Sequence, residues 1–159
     1  ISDEQWHSGL DVYLLNVVRP TRLVTPLMQA QWGGVIINIS SRSAYGPQVK
    51  NGPYGAAKAA VNSLTATLSR ELAPKIRVNA VAPGPIPTEN FDDCMGTDTE
   101  EKRAKLLEMI GIPMGRYGRV EEIAGTVSFL ASDASGYITG QLISVSGGAY
   151  MPYITLFFI

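Results

Sequence analysis

Two runs, GGVIINISS (33–41) and IRVNAVAPG (76–84), limit the fold of this chain more than any other feature. Each is nearly continuous in apolar and β-branched residues, the pattern of a strand covered on both faces. The segment between them has a different period. From Tyr54 onward, Ala57, Ala60, Val61, Leu64, Leu68 and Leu72 share one face at helical spacing, and Pro74 ends it. Strand, helix, strand in that order implies a parallel pair joined by a right-handed crossover. A third strand, QLISVSGG (141–148), follows a helix carried by Val120, Ile123, Ala124, Val127, Leu130 and Ala131. Glu121 and Glu122 suit the positive end of that helix. The expected fold class is α/β with a parallel sheet. Three strands make a thin sheet, so further structure is expected on its N-terminal side.

The flanking segments read less sharply. Residues 3–30 suggest one long helix, with Ser2 and Gln5 at capping-box spacing and Pro20 and Pro26 expected to bend or interrupt it. Residues 42–53 form a Ser/Gly/Pro-rich loop. Residues 85–118 read as irregular, apart from one amphipathic segment at 98–110. Ala56, Ala59 and Ser63 keep a second face of the 54–73 helix small, open to close approach by another backbone. The tail, residues 149–159, is apolar but too short to span a bilayer, and is expected in a subunit contact.

Composition removes several function classes. With 159 residues, 45% hydrophobic and 17% charged, the chain suits one globular domain rather than a disordered segment. Its 13 basic and 14 acidic residues nearly cancel, so no field favours nucleic acid or an anionic membrane. Neither partner is expected. Cys94 and His7 are each the only residue of their kind, which rules out a disulfide within the chain and a Cys- or His-cluster metal site. A lone cysteine, with no signal-peptide pattern at the start, fits a cytoplasmic setting.

The chemistry centres on YGAAK. Tyr54 and Lys58 stand four residues apart and share a helix face, a spacing that also arises by chance. A phenol has a pKa near 10, so it exchanges protons at neutral pH only beside a cation. An ammonium one turn away supplies that field. Ser41 ends the first strand, and PGPIPT breaks the second at the same carboxyl edge, where open α/β sheets bind ligands.

The ordered set NISS, YGAAK, NAVAPGPIPT, GRYGRVEEIA, FLASDASGYITGQ and SVSGG resembles the short-chain dehydrogenase/reductase family over residues 1–148. The resemblance implies the C-terminal portion of a single Rossmann-type, doubly wound parallel sheet: its last three strands and their helices. It implies catalysis by Ser41, Tyr54 and Lys58. Ser41 would polarise the substrate oxygen, Tyr54 would act as general acid/base, and Lys58 would lower the tyrosine pKa and hold the nicotinamide ribose. Cofactor binding by Tyr54, Lys58, Pro83, Gly84, Ile86 and Thr88 follows from the same likeness. So do NAD or NADP as cofactor, a small-molecule carbonyl/alcohol pair as substrate, and a homodimer or homotetramer built on the two long helices.

Three departures accompany the resemblance. No glycine-rich turn that would grip a pyrophosphate occurs in the sequence. Tyr13 falls where the family carries an Asn, with Asn16 one turn on. Ser146 replaces a common Asp. A catalytically inactive homologue, or a fragment acting as a structural partner, is therefore the alternative expectation. Tyr45 and Met95 are candidate substrate contacts. Cys94 is expected to be a buried or partly buried inert thiol, His7 a solvated surface residue, and Glu100 to Arg103 a solvated helix face. Asn79 and Ser146 are expected to hydrogen-bond beside their strands.

Overall fold

The computed structural model describes residues 1–46 and 51–149. The apolar tail from residue 150 and part of the 42–53 loop lie outside the described residues. Three parallel strands, β1 (Gly34–Ile39), β2 (Ile76–Pro83) and β3 (Leu142–Val145), form one sheet in the order β1–β2–β3. The chain is α/β, as expected, with Ile36 beside Val78 and Val81 beside Ile143 fixing the register.

Burial differs between the strands. Ile76, Val78, Ala80 and Val81 of β2 are fully buried, whereas β1 is mostly half-buried and Ile39 is 45% exposed. The expectation of two-sided burial therefore holds for β2 alone. β2 has a strand on each side, and β1 and β3 are the edges of the described sheet.

Helix α3 (Gly52–Leu72) crosses between β1 and β2. It begins two residues before Tyr54, with Pro53 in its first turn, where a missing N–H costs nothing. Ala57 and Val61 are fully buried, and Leu72 joins Ile76, Val78 and the partly buried Met28, Ile36 and Leu68 in an apolar cluster. Ala56, Ala59 and Ser63 are exposed.

The segment 3–30 is helical throughout but changes gauge. α1 (Asp3–Leu10) passes into a wide π turn at Asp11–Leu15 and then into α2 (Asn16–Ala30). The Ser2 hydroxyl accepts from the Gln5 N–H, and the Gln5 side chain accepts from the Ser2 N–H, completing the capping box. Pro20 and Pro26 lie inside α2 and do not end it. A proline ring crowds the carbonyl four residues earlier, which for Pro20 is that of Asn16; the widened turn stands directly before that point.

Two helices occupy the region read as mostly irregular. α5 (Glu100–Ile110) is the expected amphipathic segment, and α4 (Glu89–Met95) is additional. Each has a threonine N-cap, Thr88 or Thr99, and closes on a left-handed glycine, Gly96 or Gly111. α6 (Val120–Ala131) leads towards β3. The buried Asn79 donates to Ile138 O at 2.9 Å and accepts from Gln141 N at 3.0 Å, pinning the approach to β3 onto β2. Among the described residues, no helix is long and apolar enough to cross a membrane.

Candidate active site

The sheet ladder delivers Ser41 to the carboxyl edge. The Ser40 N–H donates to Val81 O at 2.7 Å, extending the β1–β2 pairing by one residue. The chain then turns: the buried Ser41 hydroxyl accepts from the Ser43 N–H at 3.1 Å and opens a short 3-10 turn, Arg42–Ala44. Gly55 lets this turn sit against α3, since a Cβ there would lie 3.0 Å from Ser43 O. Deeper in the fold, Asn38 Nδ2 donates to Thr65 Oγ1 at 2.9 Å, and the Ser40 hydroxyl donates to Asn62 Oδ1. These bonds fix the depth of β1 along α3, and with it the relation of Ser41 to Tyr54 and Lys58.

Lys58 is half-buried. Its Nζ donates to Ile39 O at 2.8 Å and lies 5.8 Å from the centre of the Tyr54 ring. Burial disfavours the ammonium and holds its pKa below the ordinary lysine value. The cation is anchored to the end of β1 on one side and faces the phenol on the other.

The end of β2 forms the opposite wall. The Gly84 N–H donates to Val145 O at 2.9 Å, and a Cβ on Gly84 would meet Ser146 Cα at 2.6 Å. Pro85 O accepts from the Gly118 N–H at 3.1 Å. The Ile86 side chain packs over Gly118, where a Cβ would lie 2.5 Å from Cδ1. No hydrogen bond to the Ile86 backbone N–H or C=O occurs among the described residues. The Thr88 hydroxyl accepts from the Phe91 N–H at 3.2 Å, so its oxygen caps α4 while its proton stays free to donate.

Ser41, Tyr54, Lys58, Pro83, Gly84, Ile86 and Thr88 all line one cavity of about 590 Å³. Phe91, Cys94, Met95 and Ile110 add an apolar side to it. Of the two candidate substrate contacts, Met95 lines the cavity and Tyr45 does not. Cys94 is exposed at the cavity rather than buried, because no residue of α4 enters the core. His7 is exposed, and Asn16 is exposed and does not line the cavity. Tyr13, which motif reading left without a role, also lines the cavity. Its ring meets that of Tyr54 nearly perpendicularly, with centroids 4.8 Å apart.

A family model described as Enoyl-(Acyl carrier protein) reductase matches residues 1–150. Over 93% of this chain, the 3-oxoacyl-(acyl-carrier-protein) reductase FabG of Thermotoga maritima is 41% identical. The human protein named Dehydrogenase/reductase SDR family member 4 is 39% identical over the same share. The chain belongs to the short-chain dehydrogenase/reductase family. An NADPH-bound short-chain oxidoreductase of Pseudomonas aeruginosa PAO1, described as having an atypical catalytic center, superposes with a TM-score of 0.86 at 31% identity over 96% of this chain. The chain spans only part of these proteins: 58% of the Thermotoga reductase, 52% of the human protein and 60% of the Pseudomonas enzyme.

Proposed function

We propose that this chain carries the proton-transfer half of an NAD- or NADP-dependent oxidoreductase acting on a carbonyl/secondary alcohol pair. One observation carries the reading: Ser41, Tyr54 and Lys58 share a cavity at the carboxyl edge of the sheet with the open backbone of Ile86. The NADPH bound by the Pseudomonas relative and the oxoacyl reduction named for the Thermotoga relative agree with it. When bound, the nicotinamide supplies or takes up the hydride.

Each residue has a definite task. Ser41 already accepts a hydrogen bond from Ser43, so its own proton is left to donate to the substrate oxygen. The Tyr54 phenol gives its proton to that oxygen in reduction and takes it back in oxidation. Lys58 stabilises the phenolate by its charge, and its anchor on Ile39 O keeps that charge in place. A carboxamide needs one donor and one acceptor, and the Ile86 backbone offers both. The pyrophosphate grip is assigned to the part of the relatives' length that this chain does not span. The exposed Ala56, Ala59 and Ser63 face of α3 forms a symmetric contact in a dimer or tetramer.

Cofactor oxidation at 340 nm, followed with a panel of ketones, tests this reading on the longer protein that contains the chain. Activity that falls on Ser41→Ala with cofactor affinity kept supports it, and unchanged activity refutes the assignment of Ser41. The chain of 159 residues alone should not bind NADPH saturably; saturable binding would overturn the placement of the grip elsewhere.

A further inference from the structure

We infer that Tyr13 is a positioning residue for Tyr54, acting through its ring; the inference rests on the catalytic reading of Tyr54 given above. The contact is built by three features that converge. Gly9 is buried where α1 meets the start of α3, and a Cβ on Gly9 would lie 2.6 Å from Pro53 Cβ. The two helices thus touch at the residue next to Tyr54. Four positions after Gly9 comes Tyr13, which lies on the same face of the segment. The wide turn at Asp11–Leu15 contains Tyr13, and such turns re-aim a side chain relative to a regular helix.

The result is a perpendicular aromatic pair with centroids 4.8 Å apart, a favoured arrangement of ring edge against ring face. The Tyr54 ring then has two neighbours of different kinds: the Tyr13 ring, and the Lys58 ammonium 5.8 Å from its centroid. Tyr13, Tyr54 and Asn51 also line both the 590 Å³ cavity and a neighbouring one of about 410 Å³ beside α1. The tyrosine pair is therefore part of the wall between the two spaces. A smaller residue at 13 opens that wall and frees the Tyr54 ring to swing into the second space, away from Ser41. Among the described residues no hydrogen bond joins the two phenols, so the ring carries the effect and the Tyr13 hydroxyl is dispensable.

The test uses the longer protein with Tyr13→Phe, Tyr13→Leu and Tyr54→Phe, and reads kcat, KM, cofactor affinity and the aromatic NMR signals of Tyr54. Tyr13→Phe keeps a ring and should stay within about twofold of the parent. Tyr13→Leu fills space without a ring and should lower kcat about tenfold or more, since a 1 Å misplacement can cost about 10²-fold. Cofactor affinity and KM should hold, and the Tyr54 ring signals should lose their NOE contacts to Lys58 in the Leu variant only, a change that loss of the Tyr13 ring current alone does not produce. Unchanged kcat in Tyr13→Leu, or an equal loss in Tyr13→Phe, overturns the inference. If Tyr54→Phe remains active, the catalytic reading fails instead. Positioning is then judged by the Tyr54 NOE contacts to Lys58 alone: their loss confined to Tyr13→Leu supports it, and retained contacts overturn it.

Discussion

Replacing Gly84 by alanine tests how the end of β2 is held. An added Cβ would lie 2.6 Å from Ser146 Cα and 2.7 Å from Ser146 Cβ, whereas ordinary contact begins at 3.4 Å. Both obstacles sit on or beside the backbone and cannot rotate away. Relief requires the β2 end and the Ser146 turn to separate, which stretches the bond from the Gly84 N–H to Val145 O, now 2.9 Å. Overpacking of this kind and the weakened hydrogen bond cost roughly 2–4 kcal/mol together. At about 2–4 °C per kcal/mol for a chain of this size, Tm falls by roughly 5–15 °C. The same displacement moves Ile86 and weakens cofactor binding. Thermal unfolding and cofactor titration measure both effects, with Gly125→Ala as control. Gly125 lies inside α6 with nothing within 4 Å of the place its methyl group would take, so that change should stabilise by about 0.5–1 kcal/mol. An unaltered Tm and cofactor affinity in Gly84→Ala would refute the claim that this close approach shapes the site.

Two pH effects follow from the same geometry. Glu122 accepts from Arg116 at 2.7 and 2.9 Å and from the Arg119 N–H at 2.8 Å, which lowers its pKa to about 2. A depressed carboxylate stabilises the fold above its unfolded pKa and loses that contribution as pH falls through about 2. Glu122→Gln should therefore differ from the parent in stability at neutral pH and converge with it on approach to pH 2, as followed by denaturant unfolding. Lys58 loses its proton below the usual lysine range, so turnover should decline on the alkaline side earlier than an ordinary lysine would dictate. Between that depressed value and roughly 10.4, the unfolded chain holds a proton that the folded chain has released, so stability rises with pH there. Lys58→Met should remove both dependences in pH–rate and pH–stability series.

The parts of the site legible in the sequence were those fixed by local pattern. The apolar runs of β1 and β2 placed Ser41 and Gly84 at one carboxyl edge of a sheet, and the structure has both lining the cavity there. β1 has the same residue pattern as β2 but is half-buried, since burial depends on neighbours that its own residues do not specify. α4 escaped periodicity because a helix of 7 residues shows barely two turns, although Thr88 and Gly96 carry its cap signals. The Tyr13 contact was illegible for a different reason. It depends on the approach of Gly9 to Pro53 and on the wide turn at Asp11–Leu15, neither of which has a sequence period.

The most direct test of the central claim is single-turnover hydride transfer in the longer protein carrying Tyr54→Phe, with cofactor affinity measured in parallel. General acid–base catalysis contributes roughly 10²–10⁴-fold. The account predicts a loss of that size with the fold, the cofactor affinity and the Lys58 contact to Ile39 O retained. Transfer at the parent rate would contradict it.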